Sequence, residues 1–372
     1  MSKHKPFFDG KLKGLWDSIK NSPYPLHYTL RWPLYFKKPS IKRRKKFTLS
    51  SDDWQSEKQS DNKQSVRIIF AGDIMILNGD IIPSLCPEMI DVINQADIFV
   101  ANCEAPIVER ELDRSARYTF KFSMPLKFLK GILSQTTLKN EQVVLSNANN
   151  HSGDMGNDAF LHSIELLKRE GFTTLGLSDN NPCKMVNVNN YTIGFTGWTH
   201  WMNREVFDKS NAVLTDGQIR RFNFNKYKLE HAIDFNIGFP HWGFEFQHFP
   251  TQSNINDARS LIQHFDLIVG SHPHVLQPMM EIDKKFCFFS LGNFCGLGVA
   301  WPVKIITLLD VELAKDLQGD TFIKKYKYHY FFQQNQEKSV TISALNKQTD
   351  SVVEKVKKRL SLVTQNNEVE YE

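Results

Sequence analysis

A chain of 372 residues with 41% hydrophobic content and 28 phenylalanines has material for a substantial core, as one large domain or two smaller ones. No N-terminal apolar stretch approaches the roughly 18 residues that cross a bilayer, and no tripartite leader is visible. The five cysteines are scattered with no CxxC pair, which argues against a disulfide framework and for reduced thiols. A cytoplasmic protein, with any membrane contact peripheral and at the inner leaflet, is therefore expected.

The net charge of +5 is unevenly placed. Through Phe47 there are 13 Lys and Arg against Asp9 and Asp17, so the rest of the chain is mildly acidic. Residues 1–62 read as an arm and linker. Phe8, Leu12, Leu15, Trp16 and Ile19 fall at helical spacing, although Gly10 and Gly14 weaken that helix. An aromatic stretch (Tyr28, Trp32, Tyr35, Phe36) and the basic run Lys42–Lys46 follow. Two readings stay open: a peripheral anchor combining an apolar face with a polybasic patch, or, more plainly, a solvated basic tail or an arm packing on the body or a second subunit. The partner of residues 1–47 is then a membrane surface or a synthase complex; an acidic body disfavours nucleic acid. Ser50–Ser65 is polar and reads as linker.

The body begins near Val66. Apolar runs at 66–72, 97–101 and 143–147 read as strands alternating with helical stretches, clearest at 157–169 with Phe160, Ile164 and Leu167 on one stripe. Further strands are expected at 172–177, 191–196, 233–239, 265–269 and 286–290. After Trp301 the rhythm changes to consecutive, antiparallel strands and an amphipathic helix at 350–363, with 336–372 taken as an extension. There is no internal repeat.

Five of these runs end in oxygen or imidazole side chains. RIIFAGD closes on Asp73, DIFVANCE on Asn102 and Glu104, and VVLSNANNH on Asn150 and His151. FNIGFPHWG ends at His241, and LIVGSHPH at His272 and His274. Strand ends converge in the crevice where open α/β sheets bind ligands, and hard O and N donors suit a hydrolytic divalent ion. Each motif alone is ordinary: HxH occurs on exposed turns, Asn-rich loops are common, and Trp242 beside His241 is either pocket wall or core. Their concurrence is the argument. Cys103 lies between two candidate ligands and otherwise reads as a small buried apolar residue.

In order, GDIM, NCEAPI, NNHSGDMG, HWGFE, VGSHPHVLQPM and FFSLGNF resemble the CapA family of capsule or poly-γ-glutamate biosynthesis proteins, over about residues 66–300. The resemblance implies a calcineurin-like metallophosphoesterase fold, a four-layer sandwich of two mixed β-sheets flanked by helices, here over 63–335. It implies Asp73 as first carboxylate ligand and Glu104 as bridging carboxylate with Asn102 beside it. Asn150, His241 and His272 would complete one metal sphere, and His274 would face the second ion with Asp73. His151 takes the general-acid position with Asp154 orienting it. Trp242, Glu245 and Asn293 support the site or the substrate. Met75 stands where metallophosphoesterases carry the histidine of DxH, and a thioether is a poor ligand for such ions. One firmly held divalent ion (manganese, magnesium, zinc or iron) is expected, with a second weak or absent.

The expected activity is metal-dependent hydrolysis of a phosphoester or amide bond in capsule or exopolymer production, on an anionic polymer or phosphorylated substrate. The alternatives are a non-catalytic scaffold of a membrane polymer synthase and a phosphodiesterase or nuclease. Arg110, Arg114, Arg117 and Lys121 read as a solvated face rather than as substrate contacts.

Overall fold

The computed structural model describes residues 22–42, 51–77, 81–109, 122–179, 181–203, 212–298 and 300–364. Two mixed sheets face each other. The larger has ten strands, centred on Ser60–Ile74. On one side of that strand lie Ile98–Cys103, Val143–Ser146 and Thr173–Leu175, all parallel. On the other side Ile305–Asp316, Thr321–Asn335 and Val340–Ala344 run antiparallel to one another in turn, and the first antiparallel to the central strand, as the change of rhythm after Trp301 predicts. The second sheet has six strands in the order Leu276–Ile282, Lys285–Leu291, Leu267–Val269, Phe235–His241, Tyr191–Thr199, Lys184–Val188. Its interior pairings are parallel, and each edge is a hairpin whose turn pair has positive φ: Asn189–Asn190 and Asp283–Lys284.

Period-two alternation builds the layers. Ile68 and Phe70 pack between the sheets with Ile193, Phe239, Leu267 and Phe288. Ile69 and Ala71 turn the other way, against Met89, Phe128 and Leu167 of the helices Pro87–Asn94, Leu126–Leu133 and Asn157–Arg169. On the far face of the second sheet, Trp198, Ile268 and Phe289 meet Ile219, Phe224 and Leu261. The result is the expected sandwich, helices outside and two sheets within.

Two expectations are corrected, and one strand goes unpredicted. Ser50–Ser65 is not a linker: Asp53–Gln55 pairs with Thr321–Asn335, and the central strand already begins at Ser60. Its polar composition reflects exposure rather than lack of structure, with Trp54 stacking on Tyr326 at 6.0 Å. The strand and helix past residue 336 are no appendage. Val340–Ala344 continues the large sheet, while Val356, Leu360 and Val363 of helix Asp350–Val363 enter the core between the sheets. Strand Leu276–Ile282 escapes prediction because Pro278 interrupts it, which an edge strand tolerates.

Residues 22–42 also pack on the body, through two short helices, Leu26–Thr29 and Trp32–Lys37. Tyr28 stacks on Phe244 with centroids 4.5 Å apart, and Trp32 and Phe36 meet Phe246 edge-on. Each such aromatic pair contributes on the order of 0.5–1.5 kcal/mol beyond area burial. Tyr24, Tyr28, Trp32 and Phe36 recur every fourth residue on this inner side, while Leu26, Leu30 and Leu34 are each more than half exposed. The expected helix over Phe8–Ile19 and most of the basic run lie outside the described residues.

Candidate metal centre

The parallel strands of both sheets end along one edge. Asp73 pairs with Asn102 in register, Asn102 with Ser146, and His241 bridges Ser271. The approach of GDIM to SLGNF is unusually close: a Cβ on Gly72 would lie 1.8 Å from the Gly292 carbonyl oxygen, and Gly292 has φ +74°. Only glycine fits there, and this contact, with Asp73 N donating to Gly292 O at 3.0 Å, holds Asp73 beside Asn293. The SHPH turn carries strain, with His272 at φ +99° and His274 at φ +56°. It is pinned by the His272 amide, which donates to Asp73 Oδ2 at 3.2 Å.

Two clusters result, sharing Glu104. Donor atoms of Glu104, His241 and His272 lie within 4.8 Å of one another, as do those of Asp73, Glu104 and His274. Asn150 joins the first, its Oδ1 3.0 Å from His241 Nε2. His272 Nδ1 is 2.9 Å from His241 Nε2, and Glu104 Oε1 is 3.7 Å from both His241 Nε2 and His274 Nε2. In the second cluster His274 Nδ1 is 3.3 Å from Asp73 Oδ2 and 3.0 Å from Asn293 Oδ1. Asn102 donates to Asp73 Oδ1 at 2.8 Å and accepts from Asn149 at 3.3 Å, so it braces Asp73. All these residues are buried.

The chemistry of the set fits a cation. Both Glu104 oxygens are buried without a hydrogen-bond partner, an arrangement natural proteins rarely leave uncompensated. Burial pushes the Glu104 carboxyl well above its usual range; His274 opposes this and Asp73 adds to it. Burial disfavours charge on His274 as well, yet Glu104 and Asp73 push its imidazole up to about 10. Both shifts reflect acidic groups packed together without a counter-ion, the charge a divalent cation would supply. His241 and His272 are held well below the usual imidazole range, first by burial and then by neighbouring histidines, and so offer lone pairs.

Beside the clusters, His151 Nδ1 lies 2.6 Å from Asp154 Oδ2. Asp154 is fixed in turn by Asn203 Nδ2 at 2.9 Å and by the Phe122 amide at 2.8 Å, while the Phe122 ring meets His151 edge-on at 4.4 Å.

Residues 67–296 match the family model described as "Bacterial capsule synthesis protein PGA_cap". The chain belongs to this family. Among capsule-synthesis relatives, it is 31% identical over 160 residues to "PGA biosynthesis protein CapA" of Bacillus subtilis (strain 168), covering 41% of this chain and 42% of that protein. It is 28% identical over 161 residues to "Capsule biosynthesis protein CapA" of Bacillus anthracis, covering 41% and 39%. The chain thus spans about two fifths of the length of these curated relatives. A solved phosphatase from Mycoplasma pneumoniae aligns at 14% identity over 78% of this chain and 99% of that one, with a TM-score of 0.44.

Within this capsule-synthesis family member, Trp242 is not pocket wall. It is fully buried on the helix-covered side of the second sheet, stacks on Phe289 and donates to the Phe289 carbonyl at 2.9 Å. Cys103 is equally inert: burial pushes its thiol up to about 12, and Sγ faces the Ala105 carbonyl. Met75 borders Asn293; both meet the space a Cβ on Gly296 would occupy. Arg110, Arg114, Arg117 and Lys121 lie outside the described residues. Glu245 meets the arm, its Oε1 accepting from the Tyr24 hydroxyl at 2.8 Å and Oε2 from the Trp32 indole. Tyr24 is the residue the sequence reading missed: its hydroxyl is also 2.9 Å from His272 Nε2. The four-residue aromatic spacing was its only signal, and no motif contains it.

Proposed function

We propose that this chain is a divalent-metal-dependent hydrolase of capsule or exopolymer production, cleaving a phosphoester or amide bond in an anionic substrate. The supporting observation is a buried set of lone-pair donors, with both Glu104 oxygens unbonded, beside a separate His151–Asp154 pair. Glu104, Asn150, His241 and His272 would hold the principal ion, and Asp73, Glu104 and His274 a weaker second one, lacking the histidine that Met75 replaces. A bound divalent ion there supplies Lewis acidity toward water and the scissile group's oxygen. Asn102 orients Asp73 by donating to its Oδ1. Asp154 accepts from His151 Nδ1–H and so orients the ring; in its imidazolium form His151 would pass the Nε2 proton to the leaving group and return to the neutral imidazole. The capsule assignment draws on the family and its named relatives. For the arm, the outward Leu26, Leu30 and Leu34 beside Arg31, Lys37 and Lys38 favour docking on an anionic membrane surface.

The test is turnover of p-nitrophenyl phosphate, bis-p-nitrophenyl phosphate and a γ-glutamyl amide by the full chain loaded with Mn²⁺. One of the three is expected to turn over. His151→Ala should lower that rate by about 10²–10⁴-fold with metal content unchanged. Metal-loaded protein inert toward all three favours the scaffold alternative instead. Metal analysis of protein purified without chelator should give one tightly held ion per chain; two would refute the reading of Met75.

A further inference from the structure

We propose that Tyr24, from the N-terminal segment outside the family match, is a positioning residue of the metal centre that sets the tautomer of His272. This rests on the metal-centre reading above. The phenol has one proton, and Glu245, a carboxylate with nothing to donate, accepts it at Oε1 across 2.8 Å. The phenol oxygen therefore presents only lone pairs to His272 Nε2, 2.9 Å away. Nε2 must carry the imidazole hydrogen, because two facing lone pairs at that distance repel. The bare nitrogen of His272 is then Nδ1, the atom that faces His241 Nε2 at 2.9 Å, and His272 is one of the residues grouped with Glu104. Partners on the outer nitrogen of a ligating histidine fix its ring and raise its basicity in this way.

The relay is itself held. Trp32 donates its indole N–H to the second Glu245 oxygen, and Tyr28 donates to the Glu245 backbone carbonyl. Three aromatic residues spaced four apart on one segment thus converge on a single glutamate. Tyr24 is 8% exposed, with its ring 5.5 Å from Trp201 and 5.7 Å from Phe244. The arm is accordingly part of the site and not only its neighbour.

The experiment titrates the metal-free full chain with Mn²⁺, comparing the parent protein with Tyr24→Phe and Tyr28→Phe, and records the Co²⁺ absorption spectrum of each. Tyr28→Phe removes a docking bond to the same glutamate without touching His272, and so controls for loose docking. Tyr24→Phe should weaken affinity by about 10–100-fold and shift the Co²⁺ spectrum, with Tyr28→Phe near the parent value. Parent-like affinity in Tyr24→Phe, or an equal loss in Tyr28→Phe, overturns the proposal. A parent protein that binds no divalent ion overturns the metal-centre reading itself, a separate result. Should Tyr24→Phe fail to fold, Glu245→Gln serves: weakened affinity supports the relay, and unchanged affinity refutes it.

Discussion

Glu104→Gln should move stability in opposite directions depending on metal. Without an ion, Glu104 places a carboxyl group among buried groups with neither oxygen bonded. A buried unsatisfied polar group costs about 1–3 kcal/mol, and more if charged. The amide keeps the shape, cannot ionise, and can keep its carbonyl oxygen toward the imidazole nitrogens that lie 3.7 Å from Oε1. His274 keeps its closer partner, Asp73, at 3.3 Å. In chelator the variant should therefore be about 1 kcal/mol more stable than the parent, or at worst equal. With metal at a hundredfold over Kd the parent gains about 2.7 kcal/mol. The variant gains little, because the ligand shared by both clusters is gone. Thermal unfolding of both proteins, in chelator and in excess Mn²⁺, reads all four values. A variant destabilised by more than about 1 kcal/mol in chelator, or one with the parent's metal-induced rise in Tm, refutes the reasoning.

Two further outcomes are expected. His248 is buried with Nδ1 3.0 Å from the Leu276 carbonyl; burial, then Arg359, lower its pKa to about 3, against the pull of that carbonyl. Its neutral form is the folded one, so its contribution is complete above the unfolded value of about 6.5 and is lost as pH falls from there toward 3, amounting to about 2 kcal/mol by pH 5. His248→Asn should flatten denaturation midpoints across that window; an unchanged slope would assign the acid sensitivity elsewhere. Leu30→Gln with Leu34→Gln, both on the exposed face of the arm, should leave stability within about 0.5 kcal/mol while lowering co-sedimentation with anionic vesicles. Parent protein that stays in the supernatant removes the membrane proposal.

Strand ends were legible because buried parallel strands must be apolar, so the polar residue that ends each run stands out. Asp73, Glu104, Asn150, His241 and His272 could be named that way, and helices 157–169 and 350–363 from their stripes. Composition misled where exposure and structure diverge. Ser60–Ser65 is polar yet opens the central strand, and Trp242, one residue from His241, points to the opposite face by the period-two rule.

What the sequence alone determined is the donor chemistry and its order, since ligand type and strand periodicity are local properties. Tertiary structure decided which donors cluster, because the grouping at Glu104 depends on how two sheets abut, as Gly72 against Gly292 shows. It also brought Tyr24 to His272 across 248 positions, a contact set by side-chain packing of the arm that no local pattern encodes.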